Sequence, residues 1–159
     1  MAAYRDSGIR ASVALDQPEL PEVDKLPFLD ELAADAPPDV AAALRAPGPM
    51  RREELLAQYR HLFDTWHGTA GGRLTAAVSV SAPQRVSPEY FAALDALSAE
   101  HGVPLFAHLL ETRPQRALMT RHPRFGGRSL VRWTHDLGLL TRRTNVIHAV
   151  WVDDDDLDL

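Results

Sequence analysis

Apolar and polar residues alternate from Gly8 to Asp16 (GIRASVALD), a period of two that predicts a strand emerging from a glycine break. The proline-rich stretch Gln17 to Val40 predicts a loop with short helical pieces. Helical spacing follows over Pro38 to Arg45 and Arg51 to Trp66, the second placing Leu55, Leu56, Tyr59, Leu62 and Phe63 on one face, and Gly68, Gly71 and Gly72 end it. Arg73 to Ser81 (RLTAAVSVS) then reads as a strand. Ser87 to Gly102 reads as a helix with Ser87 as N-cap, Pro88 in the first turn and Gly102 as stop. Val103 to Leu109 (VPLFAHL) is a second apolar run, and Arg113 to Arg128 reads as a solvated basic loop. Ser129 to Gly138 is a capped helix and Thr144 to Val152 (TNVIHAVWV) a further strand. Apolar strands alternating with helices predict an α/β chain with a parallel sheet, either doubly wound or a β/α barrel.

The final DDDDLDL sets acidic residues where the first turn of another helix belongs. A closed eight-stranded barrel typically needs about 250 residues. The barrel alternative therefore makes these 159 residues a fragment with both ends incomplete.

Composition narrows the chemistry. With 45% hydrophobic and 25% charged residues the chain can bury a core, which excludes a disordered or low-complexity class. A net charge of −5 argues against a nucleic-acid surface, which needs clustered cations. Without cysteine there is no disulfide, thiolate metal site or cysteine nucleophile, so any metal must rest on histidine and carboxylates. No run approaches the roughly 18 apolar residues of a spanning helix, and the start lacks a signal peptide's apolar core; a cytoplasmic location is the expectation.

His108 lies toward the C-terminal end of VPLFAHL, and Glu111 follows three positions on. In a continuing strand the two side chains would face opposite ways, so joint action requires the backbone to turn after Leu109. His148 holds the equivalent place on the next strand, flanked by Val146, Ile147, Ala149 and Val150. Two such histidines would converge on the face where parallel α/β folds hold ligands. A core histidine bonded to a carbonyl and a solvated loop acid are the competing reading. His61, His67, His101, His122 and His135 read as structural or exposed.

The order of a strand ending in Ala-Pro, a helix opened by Ser-Pro-Glu, a strand with His-x-x-Glu-Thr, a Gly-Leu-Leu link and a strand bearing His resembles the amidohydrolase superfamily, in particular its cytosine deaminase, guanine deaminase and triazine chlorohydrolase branch. GIRASVA resembles the family's third strand. The resemblance implies one partial (β/α)8 TIM-barrel domain over residues 1–159, about strands 3 to 6 with their helices, interrupted by a proline-rich and helical insertion over 17–72. It implies His108 as a metal ligand and Glu111 as the acid/base that takes a proton from activated water and passes it to the substrate. His148 would orient water or substrate, or bind a second metal. The implied cofactor is Zn²⁺ or Fe²⁺, one per complete site, which neutral imidazole suits. The implied reaction is hydrolysis of a non-peptide C–N bond, or of an activated ring carbon, in a small-molecule substrate, with no nucleic-acid or membrane partner and a homo-oligomer allowed.

Two departures bear on this. The family's His-x-His pair on the first strand and Asp on the eighth fall outside the chain, which leaves it short of the three protein ligands of a catalytic zinc. Gln84 follows Ala82 and Pro83 where many deaminases carry a substrate-contacting histidine, which counts against an aminopurine or pyrimidine substrate. The alternatives are a non-catalytic half-barrel that binds a ligand or partner, and an unrelated doubly wound domain. No glycine-rich phosphate loop follows a strand to favour the latter.

Overall fold

The structure, a computed structural model, describes residues 1–25 and 27–159; Leu26, inside the predicted proline-rich loop, lies outside them. In chain order the elements are α1 (Ala2–Ser7), β1 (Ala11–Val13), α2 (Leu29–Asp35), α3 (Pro38–Arg45), α4 (Arg52–Trp66), β2 (Leu74–Ala76), β3 (Val78–Ser81), α5 (Pro88–His101), β4 (Leu105–Leu109), α6 (Arg113–Arg121), α7 (Leu130–Asp136), β5 (Thr144–His148) and α8 (Asp154–Leu157). Short 3-10 turns occupy Glu22–Asp24, Pro83–Arg85 and Pro123–Phe125. No helix among the described residues is long and apolar enough to cross a membrane.

All strand pairs are parallel: β1 with β2, β3 with β4, and β4 with β5. The predicted strand Arg73 to Ser81 appears as β2 and β3, divided at Ala77, where the pairing partner changes. The Ala77 N–H donates to Val13 O at 2.9 Å on one side and the Val78 N–H to Pro104 O at 3.0 Å on the other. The run is thus the hinge between two ladders.

Along β4, Leu105, Ala107 and Leu109 are fully buried while Phe106 and His108 are half-buried, the alternation of a strand with one face under helices. The covering residues come from α4 (Leu55, Tyr59, Leu62, Phe63), α5 (Tyr90, Phe91, Leu94) and α7 (Leu130, Val131, Trp133), and they form one continuous core with the strands. At Gly102, φ is +61°, the left-handed stop its sequence position predicts.

One expectation fails. Arg113 to Arg128 is not a solvated loop: α6 occupies Arg113–Arg121, with the Thr112 hydroxyl accepting from the Gln115 N–H at 3.4 Å and Pro114 in the first turn. Proline is harmless there because first-turn N–H groups lack intrahelical partners anyway. Leu118, fully buried, ties the helix to the core. The arginine-rich composition hid a helix that needs only one apolar anchor.

Where β1 and β3 diverge, the Tyr59 hydroxyl takes over from the ladder. It accepts from the N–H groups of Leu15 (3.2 Å) and Ser79 (2.9 Å), and lies 2.7 Å from Leu15 O and 3.1 Å from Ser79 O, to either of which it can donate. Burial pushes its pKa up to about 12, so it stays a neutral phenol. The segment after β1 is also held at Glu19, whose carboxylate accepts from Ser87 N–H (2.8 Å), Ser87 Oγ (2.7 Å) and Arg52 Nε (2.8 Å). Burial raises the Glu19 pKa, but the bonds from Ser87 and Arg52 together outweigh it and hold it below the usual carboxylate value.

Tyr59→Phe should lower stability by about 1–3 kcal/mol in urea denaturation, because the buried backbone of Ser79 and the part-buried backbone of Leu15 lose their partner. An unchanged midpoint would refute this role. Glu19→Gln should cost about 1–2 kcal/mol at pH 7. A depressed carboxylate contributes stability above its unfolded pKa and loses it as pH falls through the lower folded value, so the difference between the two proteins should shrink below about pH 4. A pH series of melts measures it.

Candidate active site

Each of β3, β4 and β5 ends in, or is directly followed by, a non-glycine residue with left-handed backbone: Ser81 (φ +60°) closing β3, Leu110 (+51°) just past β4, and His148 (+77°) closing β5 with Ala149 (+51°) after it. Such conformations cost of order 1 kcal/mol or more and persist only where surrounding bonds hold them. Here the holding bonds are explicit. The register shifts between Ser79 and Ser81, and the Ser81 N–H donates to Ser79 Oγ at 3.0 Å. Beyond β4, Leu109 O accepts from the Ala149 N–H at 3.1 Å and Leu110 O from the Trp151 N–H at 3.0 Å. These turns bring the strand ends around one cavity.

The cavity, of about 210 Å³, is lined by His108, Glu111 and His148 together with Asp16, Ser81, Ala82, Gln84, Arg85 and Gln115. The turn at Leu110 is the one joint action of His108 and Glu111 requires. The two imidazole rings lie 5.3 Å apart between centroids and tilted by 36°. His148 Nε2 stands 3.6 Å from Glu111 Oε1, an ion-pair distance longer than a hydrogen bond. The Glu111 backbone is fixed by its N–H donating to Gln115 Oε1 at 2.7 Å.

His108 Nδ1 lies 2.7 Å from Ser81 O. A carbonyl can only accept, so Nδ1 carries the proton and a neutral ring keeps its lone pair on Nε2. This feature belongs to both sequence readings: it satisfies a half-buried histidine, and it is also how a metal-binding imidazole is oriented by its second nitrogen. The donor set suits a divalent cation such as zinc in kind but not in number. Among the described residues no group of three or more histidine or acidic side chains is placed to hold a metal.

Asp16, Arg85 and Gln115 escaped the sequence reading. Asp16 sits just beyond β1, so the rule that flagged His108, proximity to a strand's C-terminal end, would have found it. Gln115 lay in the segment read as loop. The other histidines take the structural roles expected of them: His67 Nδ1 accepts from the Ala76 N–H at 3.1 Å, His101 stacks on Phe63 at 3.8 Å, and His122 Nδ1 accepts from the Arg124 N–H at 3.2 Å. A larger cleft of about 520 Å³, between α6, α7 and α8, is lined by Arg113, Arg116 and Arg132 against Asp153, Asp155 and Asp156. Arg116 pairs there with Asp153 and, at 2.6 Å, with Asp156, so much of its charge is already neutralised.

No family model matches the chain. It is 39% identical over 111 residues to 5-methylthioadenosine/S-adenosylhomocysteine deaminase of Symbiobacterium thermophilum, covering 69% of this chain and 25% of that protein. Over 100 residues it is 39% identical to the deaminase of the same name from Nitratidesulfovibrio vulgaris, covering 63% of this chain and 22% of that protein. The chain spans about a quarter of the length of these curated relatives. Among solved structures, atrazine chlorohydrolase from Arthrobacter aurescens complexed with zinc matches 98% of this chain and 30% of its own, with TM-score 0.73 at 22% identity. A zinc-bound adenosine deaminase from Xanthomonas campestris matches 99% of this chain and 29% of its own, with TM-score 0.67 at 21% identity. The fold is therefore a part of a (β/α)8 barrel. In sequence and in fold the chain is similar to a part of amidohydrolase-superfamily proteins.

The φ of +77° at His148 makes a further outcome measurable. His148→Gly should be more stable than His148→Ala by about 1 kcal/mol, since both lose the ring but only alanine keeps the strain. Equal stabilities in paired denaturant titrations would contradict the strained backbone.

Proposed function

We propose that this chain forms part of the active site of a metal-dependent hydrolase that cleaves a non-peptide C–N bond, or displaces a comparable leaving group, on a small nitrogen heterocycle. The observation that carries the reading is the meeting of His108, Glu111 and His148 in one cavity at the ends of parallel strands. Deaminases among the relatives and a chlorohydrolase among the structural neighbours support the reaction class.

His108 would hold the metal through Nε2, with the Ser81 carbonyl fixing its ring. A divalent cation, zinc or iron(II), supplies Lewis acidity and lowers the pKa of water toward neutrality. Glu111 accepts a proton at its carboxylate and returns it to the leaving group, a role suited to a side chain that is 44% exposed and has no closer partner than His148 among the described residues. His148, at ion-pair distance from Glu111, orients the carboxylate and the attacking water. Further ligands to complete the coordination would come from parts of the barrel beyond those described.

The test uses the protein translated from the whole reading frame. Metal analysis should find zinc or iron, His108→Ala should lose most of it, and Glu111→Gln should keep it while lowering kcat by at least about 100-fold in ammonia release from aminopurine nucleosides. Full turnover by a metal-replete Glu111→Gln protein would overturn the assignment. A protein that binds no metal would leave the non-catalytic half-barrel as the better description.

A further inference from the structure

Helix α6 opens on a capping arrangement displaced by one residue. In the usual box the N-cap hydroxyl accepts from the N–H of the third helical residue, whose side chain accepts in return from the N-cap N–H. Thr112 is the N-cap, and its hydroxyl accepts from the Gln115 N–H at 3.4 Å, which is the first half of that pattern. The second half falls elsewhere. Gln115 Oε1 accepts at 2.7 Å from the N–H of Glu111, the residue before the cap. An N–H only donates, so the amide oxygen is the atom that faces it.

The displacement matters because of how Glu111 is otherwise held. Leu110, just before it, carries the left-handed φ of +51° that turns the chain out of β4, and Glu111 itself belongs to neither strand nor helix. Its carboxylate has His148 Nε2 at 3.6 Å as a charged neighbour, beyond hydrogen-bond range, and makes no hydrogen bond among the described residues. Where that carboxylate can reach is therefore set by the backbone that bears it. Gln115, by contrast, is only 8% exposed and rides on a helix whose Leu118 is fully buried. The anchor is firmer than the group it anchors.

On the hydrolase reading proposed above, we infer that Gln115 is a positioning residue: through the Glu111 N–H it fixes the backbone from which the Glu111 carboxylate reaches the attacking water. It acts through Glu111 and not on the substrate. Misplacing a proton acceptor impairs the chemical step far more than the binding that precedes it, so the signature is a fall in kcat at nearly constant KM. A glutamate at this position has an acceptor at the same reach, whereas methionine has none and asparagine is one methylene short.

The experiment uses the full-length, zinc-loaded protein with adenosine as the probe. Gln115→Met should lower kcat for ammonia release about 10- to 100-fold, with KM changed by less than about threefold and zinc content equal to that of wild type. Gln115→Glu should return kcat to within about threefold of wild type, a rescue that a merely structural role would not produce. Gln115→Asn should behave as Gln115→Met, and carries the test if the methionine protein does not fold. Amide hydrogen exchange at Glu111 reads the same bond without turnover, and should be about tenfold faster in Gln115→Met and Gln115→Asn than in wild type and Gln115→Glu. Wild-type kcat in a folded Gln115→Met protein, or a loss that Gln115→Glu does not recover, would overturn the inference. A wild type that releases no ammonia removes the hydrolase reading alone, because the exchange rates still decide whether Gln115 holds Glu111; unchanged exchange in both acceptor-free variants removes the role of Gln115 alone.

Discussion

A single phenol hydroxyl stands where two parallel strands part. Beyond Val13 and Ala77 the ladder between β1 and the β2–β3 run is not continued by strand pairing, and Tyr59 supplies what Leu15 and Ser79 would otherwise lack. Because the ring comes from α4, one residue joins the helical layer, the first strand and the third. Divergence without it would leave buried N–H and C=O groups unsatisfied. With it, the chain after β1 can leave the sheet and carry Asp16 to the cavity rim.

The strand ends repeat one device. Regular β geometry sends successive side chains to opposite faces, so it cannot gather His108 and Glu111 by itself. A left-handed residue at each end breaks the alternation, and the freed carbonyls are taken up by side chains or by the neighbouring strand's exit: Ser81 O by His108, Leu109 O by Ala149, Leu110 O by Trp151. Strain and hydrogen bonding are thus opposite sides of the same arrangement, and it lies along the edge where chemistry is expected.

Much of this was legible in the sequence. The helix of Ser87 to Gly102 announces itself through cap, proline and stop, whereas the equal, buried depth expected of His108 and His148 is not what forms: the register sets His148 beside Leu109 and leaves it exposed, with Val146 and Val150 exposed as well. Less legible were features that depend on partners distant in sequence. Nothing in RLTAAVSVS marks Ala77 as the point where pairing changes sides, because that is decided by Val13 and Pro104. The α6 helix was obscured because proline and arginine suggest a loop when counted, whereas the fold depends on Thr112 as cap and Leu118 as anchor. That the buried Oε1 of Gln84 finds no partner among the described residues is a three-dimensional fact with no local signature.

The first turn of α6 has a mechanical consequence. Gln115 holds the backbone of Glu111, while the adjacent Arg116 donates to Trp151 O at 3.0 Å and pairs with Asp153 and Asp156, fixing the segment that leaves His148. Both sides of the Glu111–His148 gap are therefore mounted on the same helical turn. A change within that turn therefore reaches both flanks of the gap through hydrogen bonds, while His148 itself stays in register beside Leu109 in the β4–β5 ladder.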